Sequence, residues 1–276
     1  MSEAYFQGKT VLITGASSGI GEELAWQLGQ AGANLTLTAR RGELLEALAQ
    51  RIAGSGKTKP LVVACDVARD GELERVVAEN VRSWGRLDVV IANAGFGVVG
   101  PLRQLTVEDY RRQFETNVFG VLRTIYAALP EVEKAQGNVV IIGSVAGWGA
   151  TPGASPYSMS KFALRALADS ITTELAPLGV KVTLISPGFV ASDIRRVDNQ
   201  GRVHRDAKDP IPTWLVMSTD KAVRQILRAV ARGKREAIIT GHGKILVAIQ
   251  RFSPWIIRAA GKRIADMRYR REGGAN

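Results

Sequence analysis

The sequence predicts an α/β protein: one doubly wound domain whose seven-stranded parallel sheet is flanked by helices, followed by a basic, amphipathic helical extension. Short apolar runs alternate with helix-periodic segments along almost the whole chain, the pattern of strands joined by crossover helices. The runs are rich in Val, Ile and Leu without clean polar alternation, as expected for a sheet covered on both faces. With 276 residues, 46% of them hydrophobic, the chain is long enough for one large core, and no repeat or low-complexity linker divides it.

In order, "TVLIT" (10–14) reads as a strand, with a helix running to about Ala31. "NLTLTA" (34–39) is the second strand, with a helix through Arg51. "PLVVAC" (60–65) is the third, followed by a helix from Gly71 to Trp84. "LDVVIANA" (87–94) is the fourth, and a long helix from about Val107 to Leu129 follows. "NVVIIGS" (138–144) precedes a helix from about Pro156 to Leu175, and "VKVTLIS" (180–186) is the sixth strand. An irregular stretch, a helix at 219–232 and a last strand "EAIIT" (236–240) complete the domain, expected to span 1–242.

Ligands of such sheets bind beyond the carboxyl ends of the strands, so the informative residues lie there. The first strand runs into "TGASSGIG", a glycine-rich turn opening a helix. Its glycines permit the turn and let backbone N–H groups approach a pyrophosphate at the helix N-terminus. The binding set expected in this turn is Gly15, Ser17, Ser18, Gly19, Ile20 and Gly21. The second strand ends in Ala39, Arg40 and Arg41 rather than in a carboxylate. Two guanidinium groups there suit a 2′-phosphate and favour NADP(H) over NAD(H). Asp66, in "CDV" with Val67, is placed either to accept from an adenine amino group or to cap the following turn. Asn93, Ala94 and Gly95 follow the fourth strand, and small residues there let backbone run close to a cofactor.

"TGASSGIG", "CDV", "NAG", Asn117 in "NVFG", Ser144, "YSMSK" and "SPGFV" occur in this order over about residues 8–240. In this the chain resembles the one-domain short-chain dehydrogenase/reductase family, with its Rossmann-type fold. Tyr157 and Lys161 are four residues apart and share a helix face. Free tyrosine has a pKa of about 10, and a nearby ammonium favours the phenolate. The resemblance implies carbonyl reduction or its reverse, with Tyr157 as acid/base and Ser144 holding the substrate oxygen. It also implies that Lys161 bonds the nicotinamide ribose and that Asn117 holds a water linking the lysine to solvent. Pro187 and Gly188 lead to Val190 and Ser192, which by resemblance hold the nicotinamide carboxamide; serine stands there where the family often has threonine. A dinucleotide-binding sensor without turnover is the alternative from another class, and the complete set of Ser144, Tyr157, Lys161 and Asn117 argues against it.

Residues 189–217 form the least regular segment and, by resemblance, the substrate lid. Its apolar members, with Val98, Val99, Val145 and Trp148 near strand ends, favour a lipophilic carbonyl or alcohol, unless they only anchor the lid. Net charge is +11, and residues 221–276 carry 14 Lys+Arg against 3 Asp+Glu, so all of the excess lies there. Ser253 and Pro254 look like a helix start. At 100° per residue Lys244, Arg251, Arg258 and Lys262 fall opposite Ile249, Ile256, Ala260 and Met267. Such a helix suits an anionic membrane surface or packs on the domain or a second subunit; nucleic acid fits less well, for no zinc pattern or stacking platform is evident. Family resemblance implies a homodimer or homotetramer built on the long helices 107–129 and 156–175.

His204 and His242 lack companions at ligand spacing, so no metal site is expected. The lone Cys65 reads as a core thiol in a reducing compartment. With no secretory signal and no long apolar run, the expected place is the cytoplasm, or the periphery of a membrane facing it.

Overall fold

Val11 and Ile13 point to one face of the first strand and Leu12 to the other, and all three are fully buried. That arrangement repeats across the sheet and explains why the strands read as unbroken apolar runs. The computed structural model describes residues 2–192, 194, 198–199, 211–257 and 259–263. Its strands are β1 (Thr10–Thr14), β2 (Asn34–Ala39), β3 (Leu61–Ala64), β4 (Val89–Ala92), β5 (Asn138–Ile142), β6 (Lys181–Ser186) and β7 (Glu236–Ile238). They form one parallel sheet in the order β3-β2-β1-β4-β5-β6-β7. The winding reverses between β1 and β4, where Ile13 pairs with Ile91, and a crevice opens beyond their carboxyl ends.

Helices α2 (Gly19–Gln30), α3 (Gly42–Gly54) and α8 (Thr219–Ala231) cover one face of the sheet. The other is covered by α4 (Glu72–Trp84), α6 (Gly120–Lys134) and α7 (Ser155–Leu175). A short helix, α1 (Ser2–Phe6), which the sequence patterns do not announce, seats Phe6 in the first core with no exposed surface.

Two elements differ from expectation. The long helix expected at 107–129 is α5 (Val107–Phe114), a π-helical turn at Glu115–Phe119, and then α6. A capping box between Thr106 and Asp109 starts it. At the end of the π turn Gly120 lies so close to Val67 that a Cβ there would sit 2.7 Å from Val67 Cγ2, which leaves room for no side chain. Pro130 does not end α6, because it removes one N–H while later ones still pair, as Ala135 does with Glu131. In the C-terminal region the first helix is α9 (Gly241–Phe252), whose N-cap Thr240 accepts from the Gly243 N–H at 3.1 Å. Ser253 interrupts it (φ −144°, ψ 58°), and residues 254–257 and 259–263 are helical again. The expected single amphipathic helix is therefore broken, although Ser253 and Pro254 do begin its second part. Arg258, Met267 and most of the expected lid, residues 193, 195–197 and 200–210, lie outside the described residues.

Asp88 closes the lower edge of the sheet. Its carboxylate accepts from the Thr10 N–H and from Arg86, both at 2.9 Å, and its main chain bonds both Thr10 and Asn138. The residue is 2% exposed. Asp88→Ala should lower unfolding free energy by about 3 kcal/mol, because it orphans a buried N–H and cuts a partly buried ion pair. Urea unfolding checks this, and a loss well under 1 kcal/mol would show that the carboxylate does not hold this edge.

Candidate active site

The turn after β1 is built around contacts too close for any side chain. A Cβ on Gly15 would lie 2.7 Å from Ala94 Cα, and one on Gly21 would lie 2.3 Å from the Gly15 carbonyl oxygen. Gly15 also has φ of 65°, a region that favours glycine. No side chain caps α2, so its first N–H groups face the crevice, as an anionic pyrophosphate requires. Ser17 and Ser18 present hydroxyls beside that opening, and the Arg41 guanidinium donates to both at 3.0 Å. Arg40 is exposed at the end of β2. These residues fit the phosphates of a dinucleotide.

Asn93 faces inward. Its amide nitrogen donates to the carbonyls of Thr14 (2.9 Å) and Gly15 (3.1 Å), clamping the glycine turn to β4. Thr14, which sequence reasoning passed over, is the hub of that clamp: its hydroxyl accepts from the N–H groups of Asn93 (3.0 Å) and Ala94 (3.1 Å). The Asp66 carboxylate accepts from Ala68 N–H at 3.1 Å, the turn-capping role expected as one of its two options. Val67 is buried against Gly120.

The carboxyl end of β5 meets α7. Ser144 Oγ accepts from the Ala146 N–H at 3.1 Å and keeps its own proton free to donate. The turn behind it packs so tightly on α7 that a Cβ on Gly147 would lie 2.6 Å from the Lys161 carbonyl oxygen. Lys161 is 6% exposed; its ammonium donates to the Ile142 carbonyl at 2.9 Å and lies 5.6 Å from the centre of the Tyr157 ring. Burial pushes its pKa down to about 8. Two ammonium protons remain for a ligand. The Tyr157 ring also borders Gly97, after β4.

Asn117 sits fully buried in the π turn. Its side chain accepts from Phe96 N–H (3.1 Å) and donates to the Phe96 carbonyl (3.0 Å) and to Ser160 Oγ (3.3 Å). Ser160 in turn donates to the Tyr157 carbonyl at 2.7 Å. Both amide protons are thus spent on protein partners, and one lone pair of Oδ1 remains beside the main chain. Gly95 packs against the same amide.

After β6, the Pro187 carbonyl accepts from Val145 N–H at 2.9 Å, which joins this segment to the Ser144 turn. Val190 is buried and pairs with Met217 across an isolated bridge. Ser192 approaches the glycine turn: a Cβ on Gly19 would lie 3.1 Å from Ser192 Cβ. Of the residues expected to line an apolar pocket, Val98 is fully buried and Trp148 is 7% exposed, held by the Arg165 guanidinium 3.5 Å from its ring centre. Both serve the scaffold. Val99 is exposed, and its main chain exchanges two hydrogen bonds with Asn199, at 2.9 and 3.0 Å.

Residues 9–202 match the short chain dehydrogenase family. An 11-beta-hydroxysteroid dehydrogenase A of Sesamum indicum is 33% identical over 234 residues, which are 83% of this chain and 67% of that protein. Dehydrogenase/reductase SDR family member 7B of Mus musculus is 39% identical over 197 residues, 70% of this chain and 61% of that protein. The chain thus spans between 61% and 67% of the length of these two relatives. Among solved structures, an alcohol dehydrogenase from the archaeon Thermococcus sibiricus, complexed with 5-hydroxy-NADP, superposes with a TM-score of 0.72 at 26% identity, over 83% of this chain and 95% of that one. A short-chain type dehydrogenase/reductase from Mycobacterium marinum superposes at 0.75 with 25% identity, over 87% of this chain and 98% of that one. With a family match over most of its length and this sheet order, the chain belongs to the short-chain dehydrogenase/reductase family.

Proposed function

We propose that the protein is an NADP(H)-dependent oxidoreductase that interconverts a carbonyl and an alcohol on a lipophilic substrate, with Tyr157 as acid/base. The observation that carries this reading is the buried Lys161 ammonium, fixed by the Ile142 carbonyl beside the Tyr157 ring. A sensor that only bound the dinucleotide could use the ammonium for binding but would have no use for a phenol placed beside it to exchange a proton. Family members use NAD(P)(H), and the bound nicotinamide supplies the hydride. Ser144 donates its free proton to the substrate oxygen and fixes its position. Tyr157 gives its proton to the developing alkoxide, and the Lys161 charge stabilises the phenolate left behind.

The two variants Tyr157→Phe and Lys161→Met should each cut NADPH consumption by about a hundred-fold or more. They differ in stability. The Lys161 pKa falls from an unfolded value near 10.5 to about 8. The native state therefore binds fewer protons between those values, so the ammonium's destabilisation is complete below about pH 8 and is relieved as pH rises toward 10.5. Lys161→Met should raise stability near neutrality by up to roughly 3 kcal/mol, a gain that fades in alkali. Turnover would be read on carbonyl compounds of graded chain length and ring size, and stability by denaturant unfolding against pH. Cofactor binding with no reduction above the Tyr157→Phe rate, and no alcohol oxidation with NADP⁺, would replace the enzyme with the sensor.

The preference for NADP(H) rests on Arg41, already bridging Ser17 and Ser18, with Arg40 beside it. Removing both as Arg40→Ala/Arg41→Ala should weaken NADPH binding about ten-fold or more and NADH binding about three-fold or less. Equal losses in fluorescence titrations would remove the case for the 2′-phosphate.

Two exposed apolar surfaces support the proposed assembly and location. Val107, Phe119, Tyr126, Met159 and Phe162 lie exposed on α5 to α7, the helices proposed to pair protomers into a homodimer or homotetramer. Ile245, Phe252, Trp255 and Ile256 lie exposed on the C-terminal segment beyond 242, interspersed with exposed Lys244, Arg251, Lys262 and Arg263. Among the described residues no helix is long and apolar enough to cross a membrane. Apolar side chains among cations fit an anionic surface, and we place the protein in the cytoplasm, peripherally on such a membrane. The parent should float with phosphatidylserine vesicles at low salt and not with neutral ones, and Phe252→Asp/Trp255→Asp should lose flotation without losing oligomeric mass by light scattering. Met159→Arg/Phe162→Arg should do the reverse. A parent that floats with neither vesicle, or is monomeric, refutes the corresponding part.

A further inference from the structure

We propose that His242 is a positioning residue for dinucleotide binding: its neutral imidazole holds the segment after β6 in shape, and protonating the ring weakens cofactor affinity. The inference rests on the reading above, in which Val190 and Ser192 receive the nicotinamide carboxamide.

The ring stands in the first turn of α9, yet its contacts are with that segment. Phe189 N–H donates to His242 Nε2 at 2.9 Å. Thr240 Oγ1 lies 3.1 Å from the same nitrogen. Thr240 Oγ1 already accepts from the Gly243 N–H, so its own proton is available for His242. Two donors converge on Nε2, which makes it an acceptor and puts the imidazole proton on Nδ1. The ring also stacks on Phe189, with centres 5.2 Å apart and planes 23° apart. Gly188 lets it in: a Cβ there would lie 2.5 Å from Nε2 and 2.2 Å from Thr240 Oγ1.

The other bonds of this segment lie elsewhere. The Pro187 carbonyl accepts from Val145, the Phe189 carbonyl from Met217, and Ala191 N–H donates to the Met217 carbonyl. His242 therefore supplies the acceptor for Phe189 N–H, one residue before Val190. A protonated ring would aim an N–H at the Phe189 N–H and lose that bond, while the Thr240 hydroxyl can turn its second lone pair to accept from the ring.

Burial lowers the His242 pKa, and no charged group from α9, β7, the Ser144 turn or the segment after β6 contributes to that shift. The ring's neighbours across those contacts are the Phe189 ring, the Gly188 backbone and the Thr240 hydroxyl. The folded protein thus keeps the ring neutral at neutral pH and protonates it below the ordinary histidine value of about 6.5. Cofactor binding, which needs the ordered segment, favours the neutral ring. By linkage, affinity is level near neutrality and falls as the pH drops through the His242 pKa.

The test is calorimetric binding of NADP⁺ and NAD⁺ at about pH 7.5 and 5.5 to the parent, His242→Gln and His242→Phe. A cofactor 2′-phosphate titrates near pH 6, so the informative quantity is the parent-to-Gln affinity ratio, read also with NAD⁺, which lacks that group. Gln offers a carbonyl acceptor at either pH and Phe keeps the stack without an acceptor. The parent should lose about two- to five-fold more affinity than Gln on acidification, and Phe should bind about ten-fold more weakly than the parent at pH 7.5. In turnover the Phe change should raise KM for the cofactor and leave kcat nearly unchanged. Imidazole NMR needs no variant: saturating NADP⁺ should lower the His242 pKa, and an unmoved titration overturns the proposal. So does a Phe variant that binds like the parent, or equal acid losses in parent and Gln. A parent that binds neither dinucleotide at pH 7.5 instead overturns the cofactor reading, and this inference with it.

Discussion

The junction between β1 and β4 is the constraint on which the rest of the site depends. Two strands far apart in sequence must end side by side with their following turns almost touching. Thr14 and Asn93 achieve this by saturating each other's backbone groups. The hydrogen bonds are buried or partly so, and each one lost would leave a polar group stranded. With that seam closed, the glycine turn is held open toward the crevice and the N-terminus of α2 is aimed at whatever occupies it. The same seam fixes where Gly95, Phe96 and Gly97 run, and hence where Asn117 and the Tyr157 ring can rest.

Chemistry is then added to the junction at a cost to stability. Lys161 is charged, buried and bonded to a neutral carbonyl rather than to a carboxylate. A carboxylate would relieve the burial penalty, and it would also neutralise the positive field at the neighbouring phenol. A network of neutral groups, Asn117 to Ser160 to the Tyr157 carbonyl, carries the helix turn instead. Positive charge is thus retained beside the proposed proton donor, and rigidity comes from amides and hydroxyls.

The sheet and the positions around the crevice were legible because parallel strands carry a signal in composition and their ligand residues sit at strand ends. Seven apolar runs became seven strands, with ends moved by a residue or two. What escaped was set by tertiary contact. The π turn ends at Gly120, which passes close over Val67, and no local pattern records either. Trp148 looked like a pocket wall, yet Arg165, seventeen residues on in the chain, covers its ring. Thr14 was read as part of a motif rather than as the hub that three backbone groups share, since a hydroxyl's partners are invisible in sequence. His242 was weighed only as a metal ligand, and its use as a backbone acceptor depends on α9 starting where Thr240 caps it.

The glycines at 147 and 188 bear on how such a protein can be redesigned. Each is walled by a close neighbour, the Lys161 main chain in one case and the Thr240 and His242 side chains in the other. A mutagenesis library aimed at a new substrate gains little by sampling them, for a larger residue must first dislodge the α7 main chain at 147 or turn aside the Thr240 and His242 side chains at 188. The adjustable wall is elsewhere: the Val99 side chain is 55% exposed, and its main chain is already tied down by Asn199. Val145 is half-buried and lies against α9 at Gly243. Plasticity in this scaffold is therefore confined to a rim, while the floor admits only the alphabet it already has.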